Sequence, residues 1–212
     1  MPSPETLYVF AVASAGLVLL PGPAIIYIAT RGIVHGRRGG LTSMLGVESG
    51  NVLQVLAATA GLAAIVVSSA AAFSIVKYVG AAYLLFLGVR ALREGARAEP
   101  DAPLPASSGR RLFWEGLAVG ALNPKLALFL LAFLPQFVDP AAGPIWLQTL
   151  VLGLIFNLIA VVGDTIVALA AGTLGVRLGE AVRSRRVARA SGVAYIGLGL
   201  WAALGNSRRT AS

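Results

Sequence analysis

Cysteine is absent from this sequence, and histidine occurs once. Without cysteine there is no disulfide, no thiol redox relay and no thiolate metal site. A single histidine adds no cluster of the kind a soft metal prefers. Charge is scarce as well: Asp, Glu, Lys and Arg make up 12% of the 212 residues. A soluble domain carries about 25%, because it must solvate its own surface.

What fills the chain instead is apolar. Hydrophobic residues amount to 57%, with a mean hydropathy of +0.82. They fall in long blocks rather than in an amphipathic rhythm, and a bilayer span needs roughly 20 such residues. The sequence therefore reads as an all-α integral membrane protein. Its length leaves room for about six spans and short loops, so one compact domain over 1–212 with no globular appendage is expected. The first 30 residues hold no Lys or Arg. A cleaved secretory signal starts with positive charge, so the first block reads as a permanent span.

The six blocks run approximately over 6–30, 41–67, 72–92, 113–135, 146–172 and 190–205, with a polar, Pro-, Ala- and Ser-rich linker at 93–112. The net charge of +8 would suggest nucleic acid in a soluble protein. Here its placement sets orientation, and the expected partner is the lipid bilayer, with no nucleic acid. Arg31, Arg37 and Arg38 lie in the first connection, Arg90, Arg93, Arg97, Arg110 and Arg111 around the third, and Arg177, Arg183, Arg185, Arg186 and Arg189 in the fifth. The second connection is essentially uncharged, and the fourth holds only Asp139. By the positive-inside rule the basic loops are cytoplasmic and both termini outside; Arg208 and Arg209 in the tail weigh mildly against this. Trp114, Trp146 and Trp201 sit near span ends, where indole rings favour the interface.

The chain also repeats itself. At an offset of 112 residues, Gly80, Ala82, Tyr83, Ala91 and Leu92 meet identical partners. The first span of each half is interrupted by proline, at Pro21-Gly22-Pro23 and at Asn123-Pro124. Three spans per half is an odd number, so the halves are inverted. Inverted repeats with broken helices place transporter sites at the repeat interface.

Few polar residues remain inside the blocks. Proline removes a backbone hydrogen bond and clashes with the preceding turn. The carbonyls it frees must find partners in protein or beside a cavity. Lys125 lies about 18 Å from the start of its block at 1.5 Å per residue. A cation at such depth costs roughly 2.5–3.5 kcal/mol, so it is expected to face a cavity or an anion, with Glu48 and Asp164 as partners. A structural ion pair is the competing reading. Glu48, Asn51 and Gln54, spaced by three, share one helix face, as do Asn157 and Asp164. Glu48, Asn51, Asn123, Lys125, Asp164 and the Pro21 break all fall in one layer roughly 10–18 Å deep. A carboxyl held away from water can be neutralised by taking a proton, so Asp164 and Glu48 are candidate proton carriers. Gly46 with Gly50, and Gly116 with Gly120, are small-xxx-small pairs suited to close helix packing, and they point weakly to a homodimer. His35, in the basic first connection, reads as solvated.

Together these residues resemble the lysine exporter family of bacterial amino-acid exporters, which includes exporters of threonine, homoserine and leucine. The resemblance covers nearly the whole chain. It rests on Pro21-Gly22-Pro23, Gly36-Arg37-Arg38-Gly39-Gly40-Leu41, Gly80-Ala81-Ala82-Tyr83-Leu84, Asn123-Pro124-Lys125 and Ala132-Phe133-Leu134-Pro135-Gln136-Phe137. It implies efflux of a small amino acid or analogue from the bacterial cytoplasm through the inner membrane, driven by the proton gradient, with no cofactor or metal. Asp164 matches an acidic position of the family's fifth span. Glu48 stands where a small or neutral residue is expected. The expected substrate or ion site is Pro21, Gly22, Pro23, Asn51, Asn123, Pro124, Lys125 and Asp164. Rival readings are efflux of another solute or cation by the same fold and a non-transporting scaffold subunit. An intramembrane enzyme is disfavoured, because neither H-E-x-x-H nor G-x-S-x-G is present.

Overall fold

The computed structural model describes residues 2–68 and 107–175, with scattered helical positions between 78 and 93 and between 177 and 203. Every regular element among them is helical. Helix α1 (Pro4–Leu19) opens on Ser3, whose hydroxyl accepts from the Thr6 amide at 3.2 Å, with Pro4 in the first turn. It stops because Leu20 precedes Pro21 and is held extended. After Pro21 and Gly22 the chain re-enters helix α2 (Pro23–Ser68), with Pro23 at the first helical position, where its missing N–H costs nothing.

Helix α2 is two limbs. At Gly36 the backbone swings to φ 67°, ψ −169°, a conformation glycine adopts without a Cβ penalty. A Cβ built on Gly40 would sit 3.2 Å from the Gly32 Cα. Residues eight apart are about 12 Å apart along a straight helix, so the limbs 23–35 and 37–68 fold back on each other. The connection expected over 31–40 is thus a one-residue reversal, and Arg37 through Gly40 are helical rather than loop.

Helix α3 (Gly109–Ala121) starts at a Ser108 cap, four residues before the boundary read from hydropathy. Helix α4 (Pro124–Ala132) follows the break at Leu122-Asn123, and 3-10 turns at Leu134–Phe137 and Pro140–Ala142 lead to α5 (Ile145–Leu174). Gln148 locks that connection: it accepts from the Asp139 amide at 3.0 Å and donates to the carbonyls of Asp139 and Gly143 at 2.8 and 2.9 Å.

Among the described residues, 109–137 and Ile145–Leu174 are long and apolar enough to cross a membrane, with mean hydropathies of 1.9 and 2.3. Leu19, Leu122, Leu158, Val162 and Ile166 face outward, a surface that suits lipid rather than water. Half of the ten residues carrying the 112-residue repeat (Gly80, Tyr83, Ala91, Ala194 and Leu204), and residues 94–106 of the linker, lie outside the described residues.

The second limb of α2 crosses α3 backbone to backbone. A Cβ on Gly116 would meet the Ser43 carbonyl at 2.5 Å, and those on Gly46, Gly50 and Gly120 would strike the backbone of Phe113, Leu117 and Val47. The small-residue pairs are therefore used within one chain, and they offer no surface for a second copy.

Candidate functional site

Each helix break leaves carbonyls without intrahelical partners, and side chains from other elements take up those at both breaks. The Lys125 ammonium, from the first turn of α4, donates to the Leu20 carbonyl at the end of α1 at 2.6 Å. It also lies over the face of Tyr195, 5.6 Å from the ring centroid. Gly22 leaves room for this side chain: a Cβ there would lie 3.1 Å from the Lys125 Cδ. At the second break the Asn123 side chain caps α4 by accepting from the Lys125 amide at 3.1 Å. The Gln54 amide, reaching across from α2, donates to the carbonyls of Gly120, Ala121 and Asn123 at 2.8, 3.0 and 3.1 Å.

Beside the breaks, on the same face of α2 as Gln54, Asn51 donates to Glu48 at 3.2 Å. The Glu48 carboxyl and Asp164 on α5 are close enough to interact electrostatically. One oxygen of Glu48 and the amide oxygen of Asn51 are buried without a partner. A buried acceptor left unsatisfied costs about 1–3 kcal/mol, so its retention marks a place where a proton or ligand could be received.

A cavity of about 40 Å³ opens at this junction. Asn51, Asn123, Lys125 and Asp164 line its polar side, and Val18, Ile25, Phe156 and Ala160 its apolar side. Among the described residues the ion pairs are Arg31–Glu115 and Arg111–Glu115. Lys125 and Asp164 share the cavity, both buried, yet are not in salt-bridge contact. The structural ion pair weighed from sequence is therefore not formed.

Among the described residues, side-chain contacts flank the site in both directions along the broken spans. Toward the α1 start, Phe10 packs edge-on to Phe137 at 5.2 Å, Phe129 stacks on Phe133 at 4.6 Å, and Phe129 reaches Phe156 at 5.3 Å. Toward the basic end, Tyr27 donates to the Leu112 carbonyl at 2.8 Å, and Glu115 takes Arg31 at 2.8 Å and Arg111 at 2.7 Å.

Of the residues singled out from sequence, Gly22, Asn51, Asn123, Lys125 and Asp164 meet at the cavity, with Glu48 directly behind. Pro21, Pro23 and Pro124 shape the breaks but do not line it, and Pro23 and Pro124 face outward. Asn157 is only half-buried and also lies off the cavity. His35 is helical rather than in a solvated loop, and its Nε2 accepts from the Ser107 amide at 3.0 Å. Sequence reasoning missed Tyr195 and the Glu115 pairs as neighbours of the site. The one hint was Tyr195 in the repeated Gly-Val-Ala-Tyr segment.

A family profile described as LysE type translocator matches residues 15–205. This chain belongs to the LysE-type translocator family. It is a membrane transporter and not an enzyme. Among its relatives in this family, a homoserine/homoserine lactone efflux protein of Salmonella typhimurium is 31% identical over 191 residues, covering 90% of each chain. A leucine efflux protein of an Enterobacter species is 31% identical over 154 residues, 72% of this chain and 73% of the relative. A protein of Vibrio cholerae described only as an uncharacterized membrane protein is 31% identical over 186 residues, 86% and 88% of the two chains. No solved structure matches the chain.

Proposed function

We propose that this LysE-type translocator exports a small amino acid or analogue, of the threonine, homoserine, leucine or lysine class, from the bacterial cytoplasm across the inner membrane. The cycle is alternating access with proton antiport, in a frame of six spans built as two inverted three-helix repeats. The basic loops face the cytoplasm.

The observation that carries this reading is the pair of unlike charges, Lys125 and Asp164, sharing one buried cavity without bonding to each other. In this reading the cavity widens during the cycle to admit a zwitterion, its carboxylate toward Lys125 and its ammonium toward Asp164. Backbone groups freed at the breaks add donors and acceptors on either side, as in other broken-helix transporters. With the substrate gone, Lys125 and a proton on the Glu48–Asp164 pair keep the cavity's charge in balance. The efflux functions named for the homoserine and leucine relatives fit this chemistry.

Asp164→Asn is the direct test. In proteoliposomes a pH gradient is expected to drive wild-type efflux and to accelerate the variant at least about tenfold less, a loss equivalent to about 1.4 kcal/mol of coupling. Wild-type acceleration in Asp164→Asn would show that Asp164 carries no proton.

The Glu115 pairs act as the cytoplasmic seal in this cycle. Because the chain has no native cysteine, Ala24→Cys, at the cavity wall, gives a clean accessibility probe. Adding Arg31→Gln is expected to raise its labelling from the cytoplasmic side roughly fivefold, the population shift that losing about 1 kcal/mol produces. Unchanged labelling would assign the seal elsewhere.

A further inference from the structure

We infer that Gln54 is a positioning residue that ties the Glu48–Asp164 carboxyl pair to the break presenting Lys125. The inference rests on the proton-antiport reading above and extends it to how ion and substrate are linked. Glu48, Asn51 and Gln54 are one turn apart on one face of the second α2 limb, so they move as a unit. At one end of this face Glu48 meets Asp164, with Asn51 bonded to it at 3.2 Å. At the other end the single Gln54 amide nitrogen holds the carbonyls of Gly120, Ala121 and Asn123.

Those carbonyls flank the residue that caps α4 at the Lys125 amide. A shift of the limb that follows protonation of the carboxyl pair therefore reaches the Lys125 turn through Gln54. The amide oxygen of Gln54 is buried without a partner. The side chain is thus oriented by its donor side alone, so a group of the same size lacking N–H releases the break. Among the described residues no second contact on this face holds the same break, since Asn51 donates to Glu48 and Lys125 holds the other one.

A mere structural staple and a coupling element differ in what they disturb. In proteoliposomes, Gln54→Met keeps the side-chain length and removes the donor. It is expected to retain exchange of a labelled amino acid across the membrane within about twofold of wild type, while pH-gradient-driven accumulation falls at least about tenfold. An equal fall in both would make Gln54 a staple only, and unchanged driven accumulation would overturn the inference outright. If Gln54→Met does not insert, Gln54→Asn, whose amide is one methylene short of the carbonyls, must give the same split. Wild-type exchange with no response to the gradient would instead remove the proton reading, and this inference with it. Wild-type vesicles that exchange no amino acid would remove the substrate reading first.

Discussion

Replacing Lys125 with methionine is expected to lower transport at least about a hundredfold, the equivalent of roughly 2.7 kcal/mol, while the protein still inserts. Methionine has similar length and no charge, so it fills the slot that Gly22 leaves open for Lys125. What disappears is electrostatic. The Leu20 carbonyl loses the donor it holds at 2.6 Å, and a buried acceptor left unpaired costs about 1–3 kcal/mol. Asp164 loses the cation that shares its cavity. The buried carboxyl beside it is then left without a compensating cation in the cavity. A substrate carboxylate would meet the same absence. Initial efflux rates, normalised to inserted protein, measure the loss; a variant within threefold of wild type would remove Lys125 from the substrate path.

The second large effect concerns folding. Gly120→Val is expected to abolish recovery of properly folded protein, because its Cβ would strike the Val47 carbonyl and Cα across the α2–α3 crossing. Overpacking against movable side chains costs about 1–3 kcal/mol. Here the obstacle is backbone, and it cannot step aside without parting helices interlocked at Gly46, Gly50 and Gly116 as well. Parting them would also pull the Gly120 carbonyl from Gln54. Gly16→Val is the control, since nothing lies within 4 Å of a Cβ at that position. Detergent extraction followed by size-exclusion chromatography should give a monodisperse peak for Gly16→Val and none for Gly120→Val. Equal recovery would mean that the crossing is looser than the structure has it.

Much of the site could be read from residue chemistry alone. A proline pair around a glycine, an Asn-Pro dipeptide and a lysine far from any span end each carry a cost in lipid that only a cavity or a partner relieves. That logic led to Gly22, Asn123 and Lys125. The spacing of three placed Asn51 and Glu48 on one face, and the rise per residue counted from the span ends brought Asp164 to the same depth.

The failures have physical causes too. Gly36-Arg37-Arg38-Gly39-Gly40 reads as loop from composition, yet one positive-φ residue reverses the chain while Gly40 stays helical against Ala168. Pattern alone cannot tell whether a small-residue stripe meets its own chain or another copy, which is why Gly46 and Gly50 pointed to a dimer rather than to α3. Asn157 shares the azimuth of Asp164 but lies about 10 Å along the axis from it, beyond the level of the breaks. Periodicity fixes direction, whereas depth depends on where the breaks fall. The prolines were read as ligand-site residues, but their work is done once the backbone has turned, and Pro23 and Pro124 then face outward.

The central claim is that the cavity joining the two breaks carries a small amino acid, and one comparison tests it most directly. Liposomes containing wild type or Lys125→Met are loaded with labelled threonine, homoserine, leucine and lysine, and release is followed under a proton gradient directed inward. At least one of the four should leave wild-type vesicles about tenfold faster than protein-free ones, equivalent to about 1.4 kcal/mol, and Lys125→Met should return that release to the leak. Release of none above the leak, or release from Lys125→Met at the wild-type rate, would contradict the account.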